Sequence, residues 1–170
     1  VSKNNTPIGV GLLGLGSIGL GVAEALLYHS ERLVSQSKIE FDLRQILVRD
    51  IEKVRAVKIP LEILTDNPSS VLSDPAIQVV IELIGGVHPA GEYVKQALCS
   101  GKDVITANKD LVAQKGPELF ELARKYGRSF RFDAAVCGGI PIIGPITRDL
   151  QANDFKAIHA ILNGTTNFIL

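Results

Sequence analysis

The chain of 170 residues carries 18 Lys+Arg against 18 Asp+Glu, with 46% hydrophobic residues, 5% aromatics and no Trp. Balanced charge gives no bulk attraction to nucleic acid or an anionic membrane, and so few aromatics leave no stacking platform for single strands. The length is enough to bury one core and suggests a single domain with at most an appendage.

No apolar run reaches the roughly eighteen residues of a membrane span. Cys99 and Cys137 form neither a metal-binding pair nor a disulfide framework, and no secretory signal precedes the first apolar run. A reducing cytoplasm is therefore the expected compartment. The sequence lacks Met at position 1 and stays apolar to the end of "ILNGTTNFIL". Natural ends are usually polar, so the chain reads as one cut in mid-fold.

Apolar runs alternate with helical segments, without repeats or low-complexity tracts. "IGVGLL" (8–13) predicts a strand, and "SIGLGVAEALLYHS" (17–30) a helix, with Ile18, Val22, Ala25 and Leu26 at helical spacing. The polar "SERLVSQSKIEFD" predicts a looped-out connector, "LRQILV" (43–48) a second strand and "PLEIL" (60–64) a short third one. "IQVVIELI" (77–84) is a nearly continuous Val/Ile run, as expected of a strand covered on both faces. "PAGEYVKQALCSG" (89–101) predicts a helix and "DVITA" (103–107) a strand. "PELFELARKYG" (117–127) predicts a helix with Pro at its start and a basic last turn before Gly127.

Beyond residue 128 the pattern loosens. "RSFRFDAAV" predicts a strand, "PIIGPITRDLQAN" a helix, and "FKAIHAILNG" a strand belonging to a different sheet. Strands alternating with helices at short intervals predict an α/β fold, a doubly wound parallel sheet of Rossmann type over residues 1–150.

Three glycines carry the first functional signal. Gly14, Gly16 and Gly19 form G-x-G-x-x-G directly after a predicted strand and at the opening of a helix. Gly14 would make the tight turn, Gly16 would let the backbone approach a pyrophosphate, and Gly19 would let helix and strand pack closely. Backbone N–H groups of Leu15, Ser17 and Ile18 would then face the phosphates at a helix N-terminus. In such folds the second strand ends on an acidic residue for the ribose, about 20 residues after the glycines. Here "VRD" ends that strand later, with Asp50 preceded by Arg49 and followed by Lys53. A guanidinium at this place suits a 2′-phosphate, so NADP is expected over NAD. Asp66, after the third strand, is a turn former or an adenine-side neighbour. Gly85 and Gly86 end the fourth strand where the chain can pass close to the cofactor, and His88 is a candidate general acid whose place just before Pro89, at a helix start, makes a surface or capping residue the plainer reading.

Several segments in this order resemble the amino-terminal half of homoserine dehydrogenase: "GLLGLGSIG", "VRD", "IELIGG", "GKDVITANKDLVAQKG", "AVCGGIPII" and "ILNGTTNFIL". The resemblance spans essentially the whole chain, and TANK, the GGIP loop and NGTTN together are its most specific parts. It implies reversible NAD(P)H-dependent reduction of L-aspartate 4-semialdehyde to L-homoserine, on the way to threonine and methionine. Lys109 matches the family's TANK lysine, implying a catalytic place beside nicotinamide and substrate. Asp133 and the carbonyls of Val136, Gly138 and Ile140 match the family's ligands for a sodium-like monovalent cation, although the family usually has Glu where this chain has Asp133. NGTTN (163–167) matches a stretch that returns to the active-site cleft. The family's G-x-D-x-x-x-K signature lies beyond NGTTN and does not occur here. Residues 151–170 would thus begin a truncated substrate-binding and dimerisation domain of a homo-oligomeric full-length protein, and the fragment alone would be inactive.

Two other readings stand beside this one. In an aldehyde dehydrogenase acting on a semialdehyde, Cys137 would be the nucleophile; a small buried cysteine is the plainer reading. In a dinucleotide-sensing module, cofactor would bind without chemistry, and Lys109 would matter for affinity alone.

Overall fold

The computed structural model describes residues 6–159. Strands β1 (Ile8–Leu13), β2 (Phe41–Leu47), β3 (Leu64–Thr65), β4 (Val79–Glu82), β5 (Asp103–Thr106) and β6 (Phe130–Arg131) form one sheet. Their order is β3-β2-β1-β4-β5-β6 and every pair is parallel. The order reverses between β1 and β4, which makes their carboxyl ends the topological switch point of a doubly wound sheet.

Alternation along β1 explains the two layers. Leu12 points into a cluster with Val10, Ile46 and Ala23 of helix α1 (Ser17–Tyr28). Leu13 points the other way, into a cluster with Val80, Val104, Val94 and Leu98 of α4 (Ala90–Cys99), and Leu111 and Leu119 of α5 (Lys109–Lys125). Both leucines are fully buried, and each such side chain contributes about 1.5–3 kcal/mol by leaving water. A strand covered on both faces has no polar face to show, which is why β1 and β4 read as apolar runs.

Several predicted elements are corrected. The connector after α1 is ordered: Ser30–Ser37 forms helix α2, ended by Lys38 in the left-handed region at φ 61°. None of its residues is buried, so it lacked the apolar stripe by which a helix is recognised. Helix α5 starts at Lys109 rather than Pro117, because Asn108 caps it; the Asn108 side-chain oxygen accepts the Leu111 N–H at 3.1 Å. Pro117 sits inside α5 on an exposed face, as does Ala113 one turn earlier. The carbonyl left without a partner there can bond to water, which limits the cost of an internal proline.

The third strand is only Leu64–Thr65, after a 3-10 turn at Leu61–Ile63, and an unpredicted short helix α3 (Ser69–Leu72) puts Val71 and Leu72 into the core. Strand β6 stops at Arg131, and a 3-10 turn follows at Asp133–Ala135. The helix expected over 141–153 shrinks to one π turn at Pro145–Asp149, as two prolines and Gly144 in its first half remove donors and stiffness. Residues 155–159 carry no strand. The rest of that predicted strand, with NGTTN, lies outside the described residues. No helix among the described residues is long and apolar enough to cross a membrane.

Candidate functional site

Parallel registration brings the site together at one edge of the sheet. Leu13 pairs with Leu47 on one side and with Glu82 on the other, and Glu82 pairs with Thr106. The residues after this row, namely Gly14, Val48–Asp50, Leu83–Gly86 and Ala107–Lys109, therefore all leave the sheet at its carboxyl edge.

The glycine turn has the form its spacing predicts. Gly14 takes φ 103°, and a Cβ there would lie 2.8 Å from the Leu83 carbonyl oxygen. Gly16 is the N-cap of α1 and no side chain caps that helix end. The first N–H groups of a helix have no partner within it, so this end offers free donors and a positive dipole end to an anion. A Cβ on Gly16 would meet nothing within 4 Å; the space in front of it is open to a ligand.

Gly14, Leu15 and Gly16 form one wall of a cleft of about 690 Å³, which Arg49, Asp50, Lys53, Arg55 and Asp66 close at the β2–β3 side and Leu83, Ile84, Pro89 and Tyr93 close at the β4–α4 side. Asp50 turns its Oδ1 to its own loop, accepting the Glu52 N–H at 2.9 Å. Arg55 holds the same loop from within: its guanidinium donates to the carbonyls of Asp50 at 2.6 Å and Lys53 at 2.7 Å. Arg49 and Lys53 are exposed and make no ion pair among the described residues. Arg49 and Lys53 thus stand at the end of the cleft without an ion pair among the described residues, beside Asp66 and beside Asp50, whose Oδ1 is engaged by its own loop.

Beneath the opposite end lies a network that sequence reading missed. Glu82 is fully buried at the end of β4. Its Oε1 accepts the Ile84 N–H at 2.8 Å and its Oε2 accepts the Thr106 hydroxyl at 2.5 Å. Thr106 Oγ1 in turn accepts the Asn108 N–H at 3.0 Å, and Asn108 Nδ2 donates to the Gly86 carbonyl at 2.5 Å. The signal was a single Glu inside the Val/Ile run of "IQVVIELI", and Asn108 immediately before a helix was a second.

The remaining predicted residues lie around this frame. Ser17 and Ile18 are exposed in the first turn of α1, whereas Gly19 is buried against the Gly14 carbonyl. Gly85 and Gly86, at φ 81° and 71°, form the exposed turn after β4. Lys109 is the first residue of α5 and is exposed. These residues do not line the cleft itself. His88 is a surface residue whose Nδ1 lies 2.6 Å from Glu92. A backbone hydrogen bond, then His88, hold the Glu92 carboxyl below its usual value.

Asp133, Val136, Gly138 and Ile140 share one loop, folded by a bond from the Val136 N–H to the Asp133 carbonyl and one from the Ile140 N–H to the Cys137 carbonyl. Cys137 is half-buried rather than buried, with φ 53°. Among the described residues no three His, Cys, Asp or Glu side chains gather in one place, so an ion here would rest mainly on backbone carbonyls.

Comparison with known proteins settles the family. A family model described as "Homoserine dehydrogenase, NAD binding domain" matches residues 14–133. The chain belongs to that family. It is 44% identical over 163 residues to the homoserine dehydrogenase of Bacillus subtilis (strain 168), covering 96% of this chain and 38% of the relative. Against the Synechocystis enzyme the identity is 42%, over 95% of this chain and 37% of the relative. Among solved structures, a homoserine dehydrogenase from Thiobacillus denitrificans superposes with a TM-score of 0.79 at 44% identity, over 87% of this chain and 34% of that one. The chain thus spans under two-fifths of the length of these relatives. The expected Rossmann-type fold and the nicotinamide-cofactor class are both borne out.

Proposed function

We propose that this chain is the cofactor-binding portion of an NADP-preferring homoserine dehydrogenase, which interconverts L-aspartate 4-semialdehyde and L-homoserine in threonine and methionine biosynthesis. The observation that carries the reading is the cleft, which joins a helix N-terminus without a side-chain cap at Gly16 to Arg49 and Lys53, which make no ion pair among the described residues. The fit is physical. Gly16 leaves the room a pyrophosphate needs, and Arg49 offers a planar fork to a phosphate while Asp50 is held by the Glu52 N–H.

The bound nicotinamide supplies or accepts the hydride. The chain's own residues do the rest. Leu15, Gly16, Ser17 and Ile18 present N–H groups to the pyrophosphate, and Gly19 keeps α1 tight against the turn. Arg49 selects the 2′-phosphate, with Lys53 beside it. Gly85 and Gly86 let the chain run close to the cofactor. Lys109, at the edge of the sheet next to the switch point, would attract the substrate carboxylate or stabilise oxyanion character at the reacting carbonyl. Asp133 with the carbonyls of Val136, Gly138 and Ile140 would hold a sodium-like cation; the shorter Asp side chain suits ligation through water. The substrate's other contacts and a homo-oligomeric interface would lie in the part of the relatives' length that this chain does not span.

The test is homoserine-dependent reduction of NADP by the full-length protein that carries this chain. Turnover with homoserine supports the reading. Saturable NADP binding without turnover of homoserine in that full-length protein would leave a dinucleotide sensor in its place.

A further inference from the structure

The Glu82 network does more than fill the core. A carboxyl group buried at 0% exposure without a cation beside it among the described residues is costly unless hydrogen bonds compensate it, and here the Ile84 N–H and the Thr106 hydroxyl do so. What the carboxyl group supplies is a fixed geometry. The Thr106 hydroxyl accepts the Asn108 N–H through its oxygen and donates its one proton to Glu82 Oε2. The Asn108 side chain is held at both ends, its oxygen by Leu111 and its nitrogen by the Gly86 carbonyl. One chain of bonds therefore links Glu82 to the Gly85–Gly86 turn and to the first turn of α5, where Lys109 stands. Chains of this kind strengthen each member and rigidify what they join.

The network sits on the β4–β5 side of the switch point, while Arg49 leaves the sheet on the β2 side. A dinucleotide crosses the crevice with its pyrophosphate at the glycine turn, so one half lies over each side. We propose that Glu82, acting through Thr106 and Asn108, is a positioning residue for the nicotinamide half. It fixes the glycine turn and the Lys109 helix start on which that half rests, without acting on the adenylate half. The proposal rests on the cofactor reading above.

Two probes separate the halves: NADPH, and adenosine 2′,5′-bisphosphate, which lacks the nicotinamide end. Each is titrated calorimetrically into the wild-type chain and into Glu82→Gln, Thr106→Val and Thr106→Ser. Glu82→Gln and Thr106→Val should each weaken NADPH by about tenfold, the size of one lost charge-assisted hydrogen bond. Thr106→Ser keeps the hydroxyl and should bind NADPH like wild type. Adenosine 2′,5′-bisphosphate should bind all four equally. Unchanged NADPH affinity in Glu82→Gln, or equal loss of both probes in the Glu82→Gln and Thr106→Val variants, would overturn the proposal; the second outcome would mean a global structural role. If neither probe binds the wild-type chain, the cofactor reading itself fails and this inference with it.

Discussion

Gly19 packs so closely on Gly14 that a Cβ there would collide with the Gly14 carbonyl oxygen, whereas a Cβ on Gly16 would meet nothing within 4 Å. Two glycines of one motif therefore serve different ends, one the packing of α1 on the turn and the other the space in front of it.

The contrast is measurable. Gly19→Ala must displace backbone and should destabilise the fold by about 1–3 kcal/mol, read from urea unfolding. Gly16→Ala should cost no more than about 1 kcal/mol, as for an ordinary loss at a helix cap, yet weaken NADPH at least tenfold by filling the cradle. Equal effects of both substitutions on stability would contradict this division.

Lys109 gives a sharper test of chemistry. In the full-length protein, Lys109→Ala should lower kcat by about 10²-fold or more, the scale of a lost electrostatic contact to developing charge. The NADPH dissociation constant should stay close to wild type. Loss of cofactor affinity with kcat intact would fit a sensor's lysine better than an enzyme's.

Much of this was legible because it is periodic or motif-borne. The alternation of apolar runs with helical segments foretold the parallel sheet, and the glycine spacing foretold the turn. Arg49 was legible from the end of its strand. Helix α2 was not, since a surface helix with no buried residue leaves no stripe to read. The start of α5 was hidden by Pro117, which reads locally as a helix opening, while the true signal was the Asn108 cap nine residues earlier. Glu82 was missed for a different reason. Its partners Thr106 and Asn108 are distant in sequence and meet it only through the pairing of β4 with β5.

Burial also sets a pH dependence. Lys102 is 4% exposed, with its Nζ donating to the carbonyls of Asp74 and Ile77. Desolvation pushes its pKa below the ordinary lysine value of 10.5, against a smaller opposing pull from Asp74. Between the lowered folded value and the unfolded one, the unfolded chain holds more protons, so this group makes stability rise with pH in that alkaline window. Urea midpoints of wild type relative to Lys102→Met should therefore increase from neutral pH toward pH ~10. A constant difference would show that Lys102 titrates normally.

The most direct measurement is a calorimetric titration of this chain with NADPH and with NADH, repeated on Arg49→Ala. Saturable NADPH binding, weakened about tenfold or more by Arg49→Ala while NADH binding is little changed, is the expected result for a lost guanidinium–phosphate contact. NADPH binding that ignores the substitution, or no binding of either dinucleotide, would contradict the account.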